Sequence, residues 1–128
     1  MPHNVSHSIQ VDLDRKLIDL RIGGLIGPED AAWIGEELRA AIRALGPDVG
    51  KHVTLYDGSG VPVVPQETVE LIKNTLDNPA VRAIWARKIA FVVSTALARM
   101  QAQRLREVRA DIGIFDDRDS AIAWLMEP

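Results

Sequence analysis

Residues 8–22 alternate apolar and polar positions in two successive stretches. Ile9, Val11 and Leu13 share one face against Gln10, Asp12 and Asp14, and then Ile18, Leu20 and Ile22 alternate with Asp19 and Arg21. A period of two predicts two strands, with the charged Asp14-Arg15-Lys16 as the hairpin turn between them. One face is then buried and the other wet, as in an antiparallel pair at a sheet edge.

Gly23-Gly24 breaks the alternation and Gly27-Pro28 opens a helix, because proline at the first helical position gives up an N–H that has no partner there anyway. Glu29 and Asp30 suit the positive end of the helix dipole. Ala31, Ile34, Leu38, Ala41, Ile42 and Leu45 recur at three- and four-residue steps and form one core-facing stripe, which Gly46-Pro47 ends. A third strand is expected over His52 to Tyr56, ending at Asp57-Gly58-Ser59-Gly60. A proline-bearing loop, Val61 to Pro65, leads to a second helix over Gln66 to Asp77, and Asn78-Pro79 interrupts it before another turn or two over Ala80 to Arg87. Ile89 to Val93 is a continuous apolar run, the pattern of a strand covered on both faces. A third helix is expected over Ala96 to Arg109 with Ser94 or Thr95 as its cap. Ile112 to Phe115 is the last strand, and Asp116 or Asp117 caps a final helix over Ser120 to Met126, with Ala121, Trp124 and Leu125 facing inward.

The order β-β-α-β-α-β-α-β-α implies an α/β fold, a mixed sheet of about five strands with right-handed crossovers. No repeat or linker divides the chain, so residues 1–128 read as a single domain, with 1–7 as a flexible tail.

Composition narrows the functional classes. The 128 residues are 47% hydrophobic and 26% charged, the balance of a globular chain. Zero cysteines exclude a disulfide scaffold and thiolate chemistry and fit a reducing, cytoplasmic setting. No apolar run reaches the about 20 residues of a membrane span, and the first residues lack a signal-peptide layout. A net charge of −3 argues against nucleic acid as partner. That charge is unevenly spread: residues 1–81 carry −5, residues 82–109 carry +6 and residues 110–128 carry −4. The basic segment reads either as a solvated helix offsetting acidic neighbours, the simpler reading, or as a positive face that docks an acidic partner through Arg99 and Arg106.

Three groups of residues carry a family resemblance. They are Asp57-Gly58-Ser59-Gly60 after the third strand, Lys88-Ile89-Ala90-Phe91-Val92-Val93 in the fourth, and Ile114-Phe115-Asp116-Asp117 followed by Ala121, Ala123, Trp124 and Leu125 at the end. With these residues the chain resembles the STAS superfamily, and within it the SpoIIAA-like branch sometimes grouped with SEC14-type lipid-binding folds. The resemblance spans residues 9–126. It implies a STAS-like domain that acts as a non-catalytic regulatory or protein-interaction module, like the anti-sigma-factor antagonists, with a kinase-like anti-sigma factor or a second copy as partner. It also implies Ser59 as a phospho-acceptor beside Asp57, Gly58 and Gly60, since a phosphoryl group adds close to two negative charges to a docking surface. Pro62 and Pro65 depart from the pattern, because they keep a helix from starting directly after Ser59 and so remove a ready anion cradle. A tight turn is the simpler reading of these four residues.

Other candidates are weighed against plainer roles. In alternating folds ligands bind beyond the carboxyl ends of the strands, which here brings in Ser94 and Thr95. On the third helix Leu97, Met100, Leu105 and Val108 define an apolar arc into which Gln101 and Arg104 fall. Arg104 reads as ion-paired or snorkelling, and the sharper alternative has Arg104 and Gln101 holding the head of a small amphipathic acid or lipid in a pocket beside the sheet. Trp85, flanked by Arg82 and Arg87, fits a partner surface. His3, His7 and His52 do not give the three or four convergent ligands of a zinc site, and Asp116-Asp117-Arg118-Asp119 lacks the pattern of a calcium loop. No cofactor is implied, no catalytic residue stands out, and Gly23-Gly24-Leu25-Ile26-Gly27 is a turn rather than a dinucleotide loop.

Overall fold

In the computed structural model of the protein, residues 5–128 are described. Their order is β1 (Val5–Asp12), β2 (Leu17–Gly24), α1 (Pro28–Arg43), β3 (Val53–Gly60), α2 (Gln66–Asp77), α3 (Pro79–Arg82), β4 (Lys88–Val92), α4 (Ala96–Arg104), β5 (Gly113–Phe115) and α5 (Arg118–Met126), with 3-10 turns at Gly46–Asp48 and Leu105–Glu107. The strands lie in chain order across one sheet. β1 and β2 pair antiparallel, and β2 through β5 are parallel. The sheet is the mixed α/β arrangement the alternation predicts.

Chain-order pairing explains where the helices go. Successive crossovers of one hand that step in one direction must pass over one face, and α1, α2, α3 and α4 all lie there. α5 follows the last strand and returns across the other face, where Ala121 and Leu125 pack on Leu17, Val53, Leu55, Ala90 and Val92. On the crossover face Ile18 and Leu20 meet Ile34, Leu38 and Ile42 of α1. Each such side chain, fully buried, contributes about 1.5–3 kcal/mol of hydrophobic free energy.

The punctuation follows from local chemistry. Lys16 closes the hairpin at φ +52, and the Gly27 N–H donates to Asp30 Oδ2 at 3.0 Å at the start of α1. α1 ends before Gly46, at φ +58. Thr95 rather than Ser94 caps α4, its Oγ1 accepting from the Ala98 N–H at 3.0 Å, and Asp117 caps α5 through the Ser120 N–H at 2.8 Å.

Four expectations change. β1 begins at Val5, so Val5, Ser6 and His7 are edge strand rather than tail, held because Val5 and Ile9 pack under α1; residues 1–4, His3 among them, lie outside the described residues. β3 runs on through Asp57-Gly58-Ser59-Gly60 instead of turning at Asp57. α4 stops at Arg104, and the basic residues beyond it are in a 3-10 turn and coil. Its inward face is Ala98, Ala102 and then Leu105, whereas Leu97 and Met100 are 49% and 62% exposed. Small residues face the sheet because they let the helix lie close to Val93, Phe91 and Ile114.

Candidate functional site

The carboxyl ends of β2, β3 and β4 form a rim. Between Arg21 and Gly23 of β2 the register shifts, with Arg21 opposite Asp57 and Gly23 opposite Gly60. β3 therefore carries one extra residue, a bulge that bends a strand and re-aims its side chains. The strands touch closely there, since a Cβ on Gly60 would stand 3.1 Å from the Gly23 Cα. Ser59 emerges exposed at the bulge, in a shallow polar cleft with Ser6, Ser8 and Arg21.

Asp57, one residue before the bulge, is buried and tied down. Its Oδ1 accepts from the Ser59 N–H at 3.0 Å and its Oδ2 from Arg118 Nη1 at 2.8 Å. The same guanidinium donates through Nη2 to Asp19 Oδ2 at 2.7 Å. Burial pushes the Asp57 carboxyl up, but the hydrogen bonds from Arg118 and Ser59 outweigh it and hold the group below the ordinary carboxylate range. Asp57 is thus a fixed anion that orients the backbone of Ser59. His7 also borders this cleft, and its ring is engaged by α1, with Nε2 2.8 Å from Glu37 Oε2 and the ring edge against Trp33. α2 starts only at Gln66, with Pro65 before it, so Ser59 sits on a strand end and not at a helix N-terminus.

The loop after β3 is strapped to α4. Thr95 Oγ1 donates to the Pro62 carbonyl at 2.7 Å, and the Gln101 amide both accepts from the Val64 N–H at 2.9 Å and donates to the Val64 carbonyl. Arg104 pairs with Glu70 of α2 and Arg99 with Asp116 after β5. Gln101 flanks the inward face of α4, whereas Arg104 lies farther round, beside exposed Leu97, and its pairing with Glu70 is the ion-pair reading of Arg104. Ser94 is exposed at the rim. Leu25, Val63, Leu97 and Met100 are also exposed, four of the seven large apolar side chains in that state among the described residues. All four lie on segments leaving the carboxyl ends of β2, β3 and β4.

The basic segment is not one basic face. Arg82 pairs with Asp77, Arg87 donates to the carbonyls of Leu125 and Glu127, and Lys88 donates to that of Trp124. Arg106 donates to the Ile112 carbonyl at 2.9 Å. Arg109 is buried and reaches Asp111 Oδ1 and the Arg87 carbonyl. Trp85 is half-buried: its Nε1 donates to the Leu76 carbonyl at 3.1 Å, and Arg82 and Arg109 lie 4.6 and 4.9 Å from its ring centre.

Trp85 also lines a cavity of about 220 Å³ between the helices and the sheet. The backbone of α2 lies chiefly against α1 and α3 and not on the strands. Below it Tyr56 and Phe91, opposite each other on β3 and β4, stack with centroids 4.6 Å apart. Gln101 lines this cavity, while Arg104, Ser94 and Thr95 do not; Arg39 of α1 does. The sequence conceals Arg39 because a long cation flanking an apolar stripe has the pattern of ordinary snorkelling. Among the described residues no group of three or more His, Cys, Asp or Glu is placed to hold a metal ion.

The arrangement is similar to two solved structures. One is an anti-sigma factor antagonist from Mycobacterium paratuberculosis, with TM-score 0.62 and 14% identity over 96% of this chain and 95% of that one. The other is an uncharacterised protein of the DUF3478 family with a SpoIIAA-like fold from Shewanella loihica, with TM-score 0.63 and 17% identity over 98% of this chain and 96% of that one. No protein-family model matches the sequence, and no curated protein is significantly similar to it. The chain has the SpoIIAA-like fold. No helix among the described residues is long and apolar enough to cross a membrane.

Proposed function

We propose that the protein is a non-catalytic regulatory module that docks another protein through the carboxyl rim of its sheet, with phosphorylation of Ser59 weakening that docking. The observation that carries this reading is the concentration of exposed Leu25, Val63, Leu97 and Met100 on the segments leaving that rim, at the same end of the sheet as Ser59. Exposed apolar side chains bordered by polar residues are the usual core of a transient protein contact. The likeness in fold to an anti-sigma factor antagonist supports a regulatory role. A phosphoryl group on Ser59 would add negative charge next to the ionised Asp57 and alter the rim by repulsion.

Capture of partners by the tagged protein from its native cells tests the reading. The partner is expected with wild type and absent with Leu97→Glu/Met100→Glu; identical partners from both proteins refute it.

The cavity favours a second reading, a protein that holds a small molecule beside the sheet. Its walls are apolar with few polar groups, the ordinary make-up of a ligand pocket.

A further inference from the structure

The cavity wall has an electrostatic bias that the rim lacks. Among the residues lining it there is no carboxylate, and the ionisable side chains are Arg39 and Tyr56. Arg39 makes no ion pair or hydrogen bond with any described residue, whereas every basic residue of 82–109 is engaged. Its guanidinium folds back over Gly35, where a Cβ would lie 3.0 Å from Nη1, and Gly35 itself lines the cavity. The Tyr56 hydroxyl also has no hydrogen-bond partner among the described residues. Burial pushes this phenol up to about 12 against the pull of Arg109 and Arg39, so it is a neutral donor near two positive charges. Arg109, 7% exposed, keeps Nη1 without a partner. A cation and a hydroxyl donor on an otherwise apolar wall complement an anion attached to an apolar body, because a guanidinium matches a carboxylate in shape and charge.

We propose that the cavity binds an amphipathic carboxylic acid, its chain lying between α2 and the Tyr56–Phe91 stack and its carboxylate accepting from Arg39 and the Tyr56 hydroxyl. The assignment rests on the second reading above and adds to it the head group and the residues that hold it. It also moves the anion site from Arg104, which Glu70 neutralises, to Arg39, about three turns into α1.

The test is calorimetric titration of the whole protein, first stripped of co-purified lipid by unfolding and refolding, with decanoate, 1-decanol and decylamine. Decanoate is expected to bind about tenfold or more tightly than 1-decanol, the scale of a hydrogen bond to a charged group, and decylamine more weakly still. Arg39→Leu should remove that preference and bring decanoate binding down to the level of 1-decanol in the same variant, Arg39→Lys should restore part of it, and Tyr56→Phe should reduce it. Circular dichroism establishes that each variant is folded before it is titrated. Equal binding of decanoate and 1-decanol, with no effect of Arg39→Leu, overturns the head-group assignment while the ligand reading stands. Failure of all three compounds to bind overturns both.

Discussion

Arg118, in the first turn of α5, donates to Asp57 Oδ2 at 2.8 Å across 61 positions of sequence. The contact joins the last helix to the strand that carries Ser59, and Asp19 shares the same guanidinium from β2. Asp57 is 5% exposed, so its charge depends on that partner. Removing one member of a buried pair leaves the other unsolvated, and Arg118→Ala is expected to lower stability by about 3 kcal/mol. Asp57→Asn keeps a hydrogen-bonding group at the same place and should cost less. Urea unfolding of the two variants gives the comparison, and equal losses would contradict the assignment of Asp57 as a paired anion.

Stability should fall on acidification in two stages. His52 is fully buried; its Nδ1 accepts from the Gly50 N–H at 3.1 Å, so the proton sits on Nε2. Burial lowers its pKa from the ordinary 6.5. The unfolded chain then takes up a proton below pH 6.5 that the folded chain refuses, so this stability is full above 6.5 and is lost as pH falls through the lower folded value. Asp57 has the same sign in a lower window: its contribution is full above the ordinary 3.8 and is lost as pH drops through its depressed value. His52→Asn retains an acceptor for Gly50 and does not titrate. Thermal unfolding from about pH 8 downward should show the first decline in wild type only and the second in both.

Gly113 of β5 lies beneath two rings. A Cβ there would stand 2.7 Å from the Phe115 ring and 2.8 Å from that of Trp124. Gly113→Ala must displace both, and overpacking of this kind costs about 1–3 kcal/mol. The near-ultraviolet dichroism of Trp124 should change with the unfolding midpoint. An unaltered spectrum and midpoint would mean the rings are not seated as described.

The architecture was legible where local chemistry decides it. The alternation of Ile18, Leu20 and Ile22, the stop at Gly46-Pro47 and the caps at Thr95 and Asp117 each act within a few residues. The resemblance added the fold type through Phe115 and the Trp124-Leu125 ending. What escaped the sequence depends on pairing across the fold. Asp57–Gly60 has the composition of a turn, and only its pairing with β2 makes it a bulged strand end. Leu97 and Met100 outrank Ala98 and Ala102 in hydrophobicity, yet the close approach of α4 to the sheet selects the smaller residues for the inside. Arg104 and Arg39 look alike in a helical stripe; Glu70, 34 residues away from Arg104, is what separates them. Trp85 flanked by arginines reads as surface, but the Leu76 carbonyl draws its indole inward.

The docking role of the rim is the central claim, and an equilibrium titration of the captured partner against four forms of the protein tests it most directly. Ser59→Ala should bind like wild type, because the hydroxyl is exposed and the backbone contact to Asp57 remains. Ser59→Asp should bind about tenfold more weakly or worse, the scale of a new like-charge contact at an interface. Leu97→Glu/Met100→Glu should lose binding while keeping the wild-type unfolding midpoint, since exposed positions change stability by only about 0.5 kcal/mol. Wild-type affinity in that double variant would contradict the account.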